Sequence, residues 1–114
     1  FRKSADIDAL RDAFLRAGGH RATAIATAKD KSEAAVLQAL AAETRLPICA
    51  VEVSDLAGQA VQTRSARVTA LYGTGSLAEA AALAAAGPGA KLIVARVTSA
   101  DGTATAALAE RISK

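Results

Sequence analysis

Two glycines, at positions 73 and 75, lie just before residues 76–83, whose sequence strongly favours the start of a helix. Gly73 and Gly75 permit φ above zero and let a ligand come close to the main chain. Ser76 and Glu79 have the spacing of a capping box, which fixes the start of the helix. The N–H groups left unpaired there, with the positive end of the helix dipole, favour a carboxylate or phosphate. The pattern therefore predicts an anion-binding loop over residues 73–76, including Thr74. The alternative is a plain glycine turn before a well-capped helix.

Basic and hydroxyl side chains occupy three further turns that precede predicted helices. In open α/β sheets, ligands bind outside the carboxyl ends of parallel strands, where such turns converge. We therefore expect the side chains of these turns to bind an anionic ligand, and Lys31, Arg64 and the glycine loop to share one cleft. A solvated surface position is the alternative for each cation. The predicted ligand-binding residues outside the glycine loop are Arg2, Lys3, Thr27, Lys31, Thr63, Arg64 and Ser65.

The histidine, cysteine and acidic residues of the chain give little support for a catalytic or metal site. The chain has one histidine, His20, and one cysteine, Cys49, so it cannot form the usual nitrogen and sulfur metal site or an internal disulfide. Cys49 lies in an apolar run and is interpreted as an inert strand residue rather than a nucleophile. Glu79 is interpreted as a helix cap rather than an acid or base. No catalytic residues can be assigned, and no cofactor is expected.

The composition fits one domain with a core built from small aliphatic side chains. The 114 residues are 52% hydrophobic but only 3% aromatic, and the net charge is +3. The mild charge suits acidic small molecules, and without basic tracts interleaved with aromatics nucleic-acid binding is not expected. No apolar run approaches ~20 residues and no signal peptide is evident, so no membrane is expected and the predicted location is cytoplasmic. The chain contains no methionine, so we expect further residues before Phe1 that complete an opening strand.

Helical and strand-like patterns alternate along the chain. Helices are predicted over residues 6–17 with Ser4 as a cap, 31–44 with an Asp30/Glu33 capping box, and 77–86. Strands are predicted over residues 21–27, 48–51, 91–98 and 103–109, with short helical segments near 53–62 and 65–71. Asp101-Gly102 signals a hairpin turn. Together these predict a three-layer α/β/α domain with a mixed central sheet, parallel in its first half and ending in an antiparallel hairpin.

The same segments, taken in order, resemble a family of cobalamin-biosynthesis proteins. The glycine loop runs into Ser76-Leu77-Ala78-Glu79-Ala80-Ala81-Ala82-Leu83, and a Gly89-Ala90-Lys91-Leu92 strand start and the final hairpin follow. Phe1-Arg2-Lys3-Ser4 looks like the end of the family's opening strand, and residues 27–33 look like its Lys-rich turn. The chain is similar over nearly its whole length to CobE and to the C-terminal domain of CbiG, and most like the free-standing CobE.

This resemblance implies a role in corrin-ring synthesis. It implies binding of an anionic tetrapyrrole of the precorrin type, by an accessory or carrier protein that could work beside other corrin-pathway enzymes. The alternative is an enzyme similar to cobalt-precorrin-5A hydrolase, which opens the ring-A lactone and releases acetaldehyde. A purely structural interaction domain is a third interpretation. Whether the chain is an enzyme is left open by its residues.

Overall fold

The computed structural model describes residues 1 and 4–111. Arg2 and Lys3, two of the predicted ligand-binding residues, lie outside the described residues. The elements in chain order are α1 (Ile7–Arg16), β1 (Ile25–Ala28), α2 (Ala35–Thr44), β2 (Ile48–Val51), α3 (Val53–Leu56), α4 (Ala66–Tyr72), α5 (Leu77–Ala86), β3 (Lys91–Thr98) and β4 (Thr105–Glu110). Short 3₁₀ turns span Gly19–Arg21 and Lys29–Lys31. None of the helices in this part of the chain is long and apolar enough to cross a membrane.

Helices cover both faces of the strands, which confirms the three-layer arrangement. Successive strand residues point to opposite faces, and Ile25 packs with one apolar cluster whereas Ala26 packs with the other. The first cluster joins α1 to α2 through residues such as Leu10 and Leu40. The second gathers α3 and α5 around Leu56, which has no exposed surface. The α/β fold class predicted from the sequence is therefore correct.

The strands form two ladders among the described residues. β1 pairs with β2 in parallel, and β3 pairs with β4 antiparallel. Both predicted strand relationships are confirmed, but no ladder joins β1 to β4 in this part of the chain. The hairpin turns where predicted: Asp101 Oδ1 accepts hydrogen bonds from Ser99 Oγ, Thr103 N–H and Thr103 Oγ1. Gly102 supplies the left-handed backbone conformation with φ +77°.

Two predicted helix starts were wrong, and in each a different residue takes the cap position. Asp6 rather than Ser4 caps α1, with its Oδ1 accepting from Ala9 N–H at 2.9 Å. The Asp30/Glu33 capping box does not form, because residues 29–31 make a 3₁₀ turn and α2 begins only after Ala34. β1 is likewise shorter than predicted: it begins at Ile25, and Arg21, the first residue assigned to the strand, belongs to the 3₁₀ turn Gly19–Arg21.

Candidate functional site: a glycine loop beside unpaired cations

The glycine loop, residues 73–76, joins the end of α4 to the start of α5. Gly73 is the left-handed C-cap of α4 with φ +71°, and its N–H donates to the Thr69 carbonyl at 2.9 Å. Gly75 is not left-handed, contrary to the expectation that both glycines supply positive φ. It is required instead by close contact, because a Cβ there would lie 2.8 Å from the Cα of Arg64. Ser65 N–H also donates to the Gly75 carbonyl at 2.7 Å, so the loop is pressed against the start of α4.

Ser76 caps α5 as predicted, but only half of the capping box forms. Its Oγ accepts a hydrogen bond from Glu79 N–H at 3.3 Å. The Glu79 carboxylate does not accept the hydrogen bond from Ser76 N–H that would complete the box. Instead Oε1 accepts from Gln62 N–H at 2.6 Å and Thr63 N–H at 2.9 Å. Oε2 accepts from Thr63 Oγ1 at 2.7 Å and Arg96 N–H at 2.8 Å. Glu79 therefore holds residues 62–63 and β3 onto α5.

The environment of Glu79 keeps its carboxyl ionised. The residue has no exposed surface, and burial raises its pKa. Hydrogen bonds from Arg96 N–H, from both donors of Thr63 and from Gln62 N–H outweigh burial, so the net pKa lies below the ordinary value. An ionised carboxylate with all four bonds made inside the protein is neither a proton donor at neutral pH nor an open ligand for substrate. Glu79 acts as a structural anchor for the loop that carries Thr63 and Arg64.

Two cations, Arg64 and Arg67, lie at the start of α4, and a third, Lys31, lies in the 3₁₀ turn that follows β1. Arg64 and Arg67 are exposed, three residues apart, and Lys31 is half-buried. None of the three makes an ion pair with a described residue, whereas Arg11, Arg16 and Lys29 do. The other described cations without an ion pair are Arg21, Arg45, Lys91, Arg96 and Arg111. Positive charges without a carboxylate partner are available to an anionic ligand.

Lys31 and Arg67 are brought together at Phe1. Lys31 Nζ donates to the Phe1 carbonyl at 2.7 Å and lies 4.9 Å from the centre of its ring. The charges of both Lys31 and Arg67 act on the backbone nitrogen of Phe1, so both cations lie close to it. Arg67 was not among the predicted site residues. Its position three residues after Arg64, within the predicted helical turn, is the signal that could have identified it.

Tyr72 fixes α4 against the turn that carries Lys31. Its hydroxyl donates to Asp30 Oδ2 at 3.1 Å across 42 residues of sequence. Burial, with a smaller effect of the Asp30 hydrogen bond, raises the pKa of Tyr72 to about 12. α4 has no buried residue of its own, so this hydrogen bond and the Ser65–Gly75 contact are its described polar attachments to the rest of the fold.

Some of the predicted site residues lie together around the glycine loop, and the others lie elsewhere in the fold. Ser65 caps α4, with its Oγ 3.4 Å from Val68 N, and Thr63, Arg64 and the glycine loop adjoin it. Thr74 is 4% exposed, and its Oγ1 is buried without a hydrogen-bond partner among the described residues. Thr27 lies buried in β1, where, alone among the described predicted residues, it lines a cavity of about 620 Å³. Joint binding of one ligand by Lys31, Arg64 and the glycine loop stays a prediction.

Cys49 and His20 take no part in this group. Cys49 is a half-buried residue of β2, as predicted from its apolar surroundings, and His20 is exposed in the 3₁₀ turn Gly19–Arg21. Within residues 1 and 4–111, no three His, Cys, Asp or Glu side chains are placed to hold a metal ion.

The sequence profile of one protein family, described as "Cobalamin synthesis G C-terminus", matches residues 2–109. The chain belongs to this family. A crystal structure of CobE, a protein from the cobalamin biosynthetic pathway, superimposes with a TM-score of 0.83 at 28% identity, covering 99% of this chain and 87% of that one. The cobalamin biosynthesis protein chiG from Agrobacterium tumefaciens str. C58 superimposes with a TM-score of 0.72 at 30% identity, covering 98% and 94%. No curated protein sequence matches significantly. The chain is thus a cobalamin-biosynthesis protein of the CobE/CbiG type, which confirms the resemblance.

Proposed function

We propose that this protein binds an anionic tetrapyrrole intermediate of cobalamin synthesis, as an accessory or carrier protein that acts beside the enzymes of the pathway. The observation that carries the proposal is the group of three cations, Lys31, Arg64 and Arg67, which have no ion-pair partner among the described residues. Precorrin-type intermediates present several acetate and propionate carboxylates around a flat ring. Guanidinium groups match carboxylates with two parallel hydrogen bonds, so they suit such a ligand.

The surface beside these cations also offers contact to an apolar ring. Leu71 is 63% exposed and lies four residues after Arg67, so the two side chains share one face of α4. A cation and a large exposed aliphatic side chain on one helix face fit a ligand that is apolar in its middle and acidic at its rim.

In this proposal the protein binds the tetrapyrrole but does not catalyse its conversion alone. Lactone opening needs a group that can activate water or protonate a leaving group. The buried carboxylate nearest the cations, Glu79, is ionised and fully hydrogen-bonded within the protein. The single histidine, His20, is in the 3₁₀ turn before β1, whereas the cations adjoin the turn that follows β1. Glu79 and His20 are therefore not acid or base candidates at this site, and the titratable groups left beside Lys31 are Asp30 and Tyr72, which hydrogen-bond to each other.

Spectroscopic titration tests the proposal. Purified protein is titrated with a panel of corrin precursors, and their absorption spectra are followed. Replacing Arg64 or Arg67 with Ala should weaken binding by about 1–3 kcal/mol for each charge-assisted hydrogen bond that is lost. Arg21→Ala is the matched control, because Arg21 is an exposed cation before the amino end of β1 and should leave binding unchanged.

Three outcomes contradict the proposal in different ways. If no corrin precursor binds at micromolar concentrations, the binding role is wrong. If the protein alone releases acetaldehyde from the lactone-bearing cobalt-precorrin, the hydrolase alternative replaces the carrier role. Equal losses in Arg64→Ala and Arg21→Ala would show that binding depends on overall charge rather than on this site.

A further inference from the structure

A second group of unpaired cations lies away from the glycine loop, where the strands β1, β2 and β3 begin. Arg21 belongs to the 3₁₀ turn that leads to β1, and Arg45 is the C-cap of α2. Lys91 is the first residue of β3, and Arg111 directly follows β4. All four residues are exposed, and none makes an ion pair with a described residue. These four residues form the amino-end surface.

Arg21 and Arg45 lie at the start of the parallel ladder. Ile25, the first residue of β1, donates its N–H to the Pro47 carbonyl at 2.9 Å, and β1 runs parallel to β2. The turn that contains Arg21 and the segment that follows Arg45 therefore reach the same end of this ladder.

Lys91 and Arg111 reach the same end from the antiparallel ladder. Lys91 pairs with Glu110, so the start of β3 lies beside the end of β4. A Cβ at Gly18, which precedes the turn before β1, would lie 3.7 Å from Leu108 Cδ2 of β4. The end of β4 therefore adjoins the start of β1, which brings all four cations to one end of the fold.

The carboxylates near the amino-end surface do not neutralise it. Glu43, in the last turn of α2, is held by Arg11, whose Nη2 lies 2.6 Å from Glu43 Oε1. Glu110 is the carboxylate beside Lys91, and it makes no ion pair with a described residue. Four cations beside one unpaired carboxylate leave this end of the described fold with an excess of positive charge.

Arg45 takes a backbone conformation that glycine usually supplies. Its φ is +58° and its ψ is +36°, and it is the one described residue other than glycine with a positive φ. A residue with a Cβ is strained there, and glycine is the unstrained choice for this position at a helix end. The fold therefore carries an exposed guanidinium at a conformational cost, which favours a role for that side chain outside the fold.

An exposed apolar side chain adjoins Arg45. Leu15 is 58% exposed and lies one helical turn after Arg11 on the same face of α1. Arg11 contacts Glu43, and Arg45 lies two residues after Glu43. Because α1 and α2 both end where the parallel strands begin, Leu15 and Arg45 lie at the same end of neighbouring helices. Arginine beside an apolar contact is typical of protein–protein interfaces.

We propose that the amino-end surface, together with Leu15, is a docking site for an acidic surface of another protein. Carboxylates of the partner face the four cations, and an apolar side chain of the partner covers Leu15. Nucleic acid fits this surface less well, because none of the exposed described residues at this end is an aromatic residue on which bases could stack.

The docking site is separate from the proposed tetrapyrrole site. Arg21 precedes the amino end of β1, whereas Lys31 follows its carboxyl end. The strand between them has four residues and spans ~13 Å. A partner can therefore dock while the tetrapyrrole is bound. The inference rests on the proposed function only for the choice of corrin-pathway enzymes as the partners to test.

Binding to purified corrin-pathway enzymes tests the inference. Each enzyme is immobilised, and binding of the chain is measured by biolayer interferometry at about 0.15 M salt without tetrapyrrole. At least one enzyme should bind with a Kd below about 100 µM. Arg45→Glu and Arg21→Glu should each weaken this binding by at least about tenfold. Lys29→Glu is the matched control, because it makes the same change of charge beyond the carboxyl end of β1 and should alter the Kd by less than about threefold.

Arg45→Gly separates a docking role from a structural one. It removes the cation and relieves the strained φ, so it should weaken enzyme binding without lowering the melting temperature. Unchanged enzyme binding in this variant would contradict the role of Arg45. Leu15→Ser should weaken enzyme binding by at least about threefold, because it removes the apolar contact.

Four other outcomes overturn the inference. Two are the absence of binding to every enzyme, and an equal loss in Lys29→Glu and Arg45→Glu. The third is tighter binding of a DNA duplex or of vesicles containing phosphatidylserine than of any enzyme, which would identify a different polyanion. The fourth is a loss of tetrapyrrole binding in Arg45→Glu and Arg21→Glu, which would place these cations in the tetrapyrrole site. Failure of the proposed function shows instead as an unchanged spectrum when the chain itself is titrated with corrin precursors.

Discussion

Replacing Glu79 with Gln should destabilise the fold strongly, although the two side chains have nearly the same shape. The four hydrogen bonds to Glu79 come from Gln62, Thr63 and Arg96, and all of these donors face carboxylate oxygens. A glutamine has one oxygen and one NH₂ group. With the NH₂ group in place of Oε1, two N–H donors lose their acceptor and face another donor. With the NH₂ group in place of Oε2, only Arg96 N–H loses its acceptor, because the Thr63 hydroxyl can turn and accept from the NH₂ group.

The magnitude follows from the orientation that loses one bond, that of Arg96 N–H. A hydrogen bond to a charged group contributes about 1.5–3 kcal/mol, so Glu79→Gln should cost roughly 2–3 kcal/mol. At about 4 °C per kcal/mol for a domain of this size, the melting temperature should fall by roughly 8–12 °C. Thermal unfolding followed by circular dichroism measures the shift. Glu33→Gln is the control: Glu33 is exposed and makes no hydrogen bond with a described residue, so the change should stay within about 0.5 kcal/mol.

The pH dependence gives a second measure of the same carboxylate. The folded-state pKa of Glu79 lies below its ordinary value of 4.5. Its stabilising contribution is therefore complete above that value and is lost as pH falls through the lower folded-state pKa. The amide introduced by Glu79→Gln cannot titrate, so the stability difference between the two proteins should be largest near neutral pH and should narrow in acid. A loss below about 1 kcal/mol at pH 7, or a gap that does not change with pH, would refute this account of Glu79.

Two further predictions concern the glycine loop and α4. Gly75→Ala should cost about 1–3 kcal/mol in chemical denaturation because its Cβ meets the Arg64 backbone, whereas Gly58→Ala, with nothing within 4 Å, should be neutral or slightly stabilising; equal effects would contradict the close contact. Tyr72 is the only tyrosine and there is no tryptophan, so near-ultraviolet absorbance reports its ionisation alone. It should titrate with a pKa of about 12, and Asp30→Asn should lower that value in part; an unchanged titration would mean that the hydroxyl does not contact Asp30.

The ends of helices and strands were predicted well where they depend on residues nearby in the sequence. The bounds of α5 agree with the prediction, because Ser76 caps its start and the Gly87-Pro88-Gly89 sequence cannot continue a helix. The final hairpin is also local, since Asp101 bonds to residues two positions away on either side. Arg64 and Ser65 were predicted to lie in a turn before a helix for the same reason, and they immediately precede α4.

The start of α2 could not be predicted from its own sequence. Asp30 and Glu33 have capping-box spacing, but Asp30 accepts a hydrogen bond from Tyr72, which belongs to α4. Ser32 Oγ donates to the Lys29 carbonyl at 2.7 Å and stabilises the 3₁₀ turn instead of a helix. A tertiary contact and a competing local hydrogen bond therefore outweigh a pattern that is valid only for an isolated helix end.

The contacts of Glu79 explain why short sequence motifs could not predict how the loop that carries Arg64 is held. Its spacing from Ser76 marks it as a cap, yet its carboxylate bonds to Thr63 and Arg96, which lie 16 and 17 residues away. Because Thr63 directly precedes Arg64, the buried negative charge fixes the backbone from which an exposed positive charge projects. Gly75 completes the arrangement by allowing Arg64 to lie against the loop without a Cβ between them. Because the backbone at Arg64 is already fixed, only its side chain loses conformational freedom when it binds a carboxylate. This preorganisation is the physical reason to expect tetrapyrrole binding at this loop rather than at the other exposed cations.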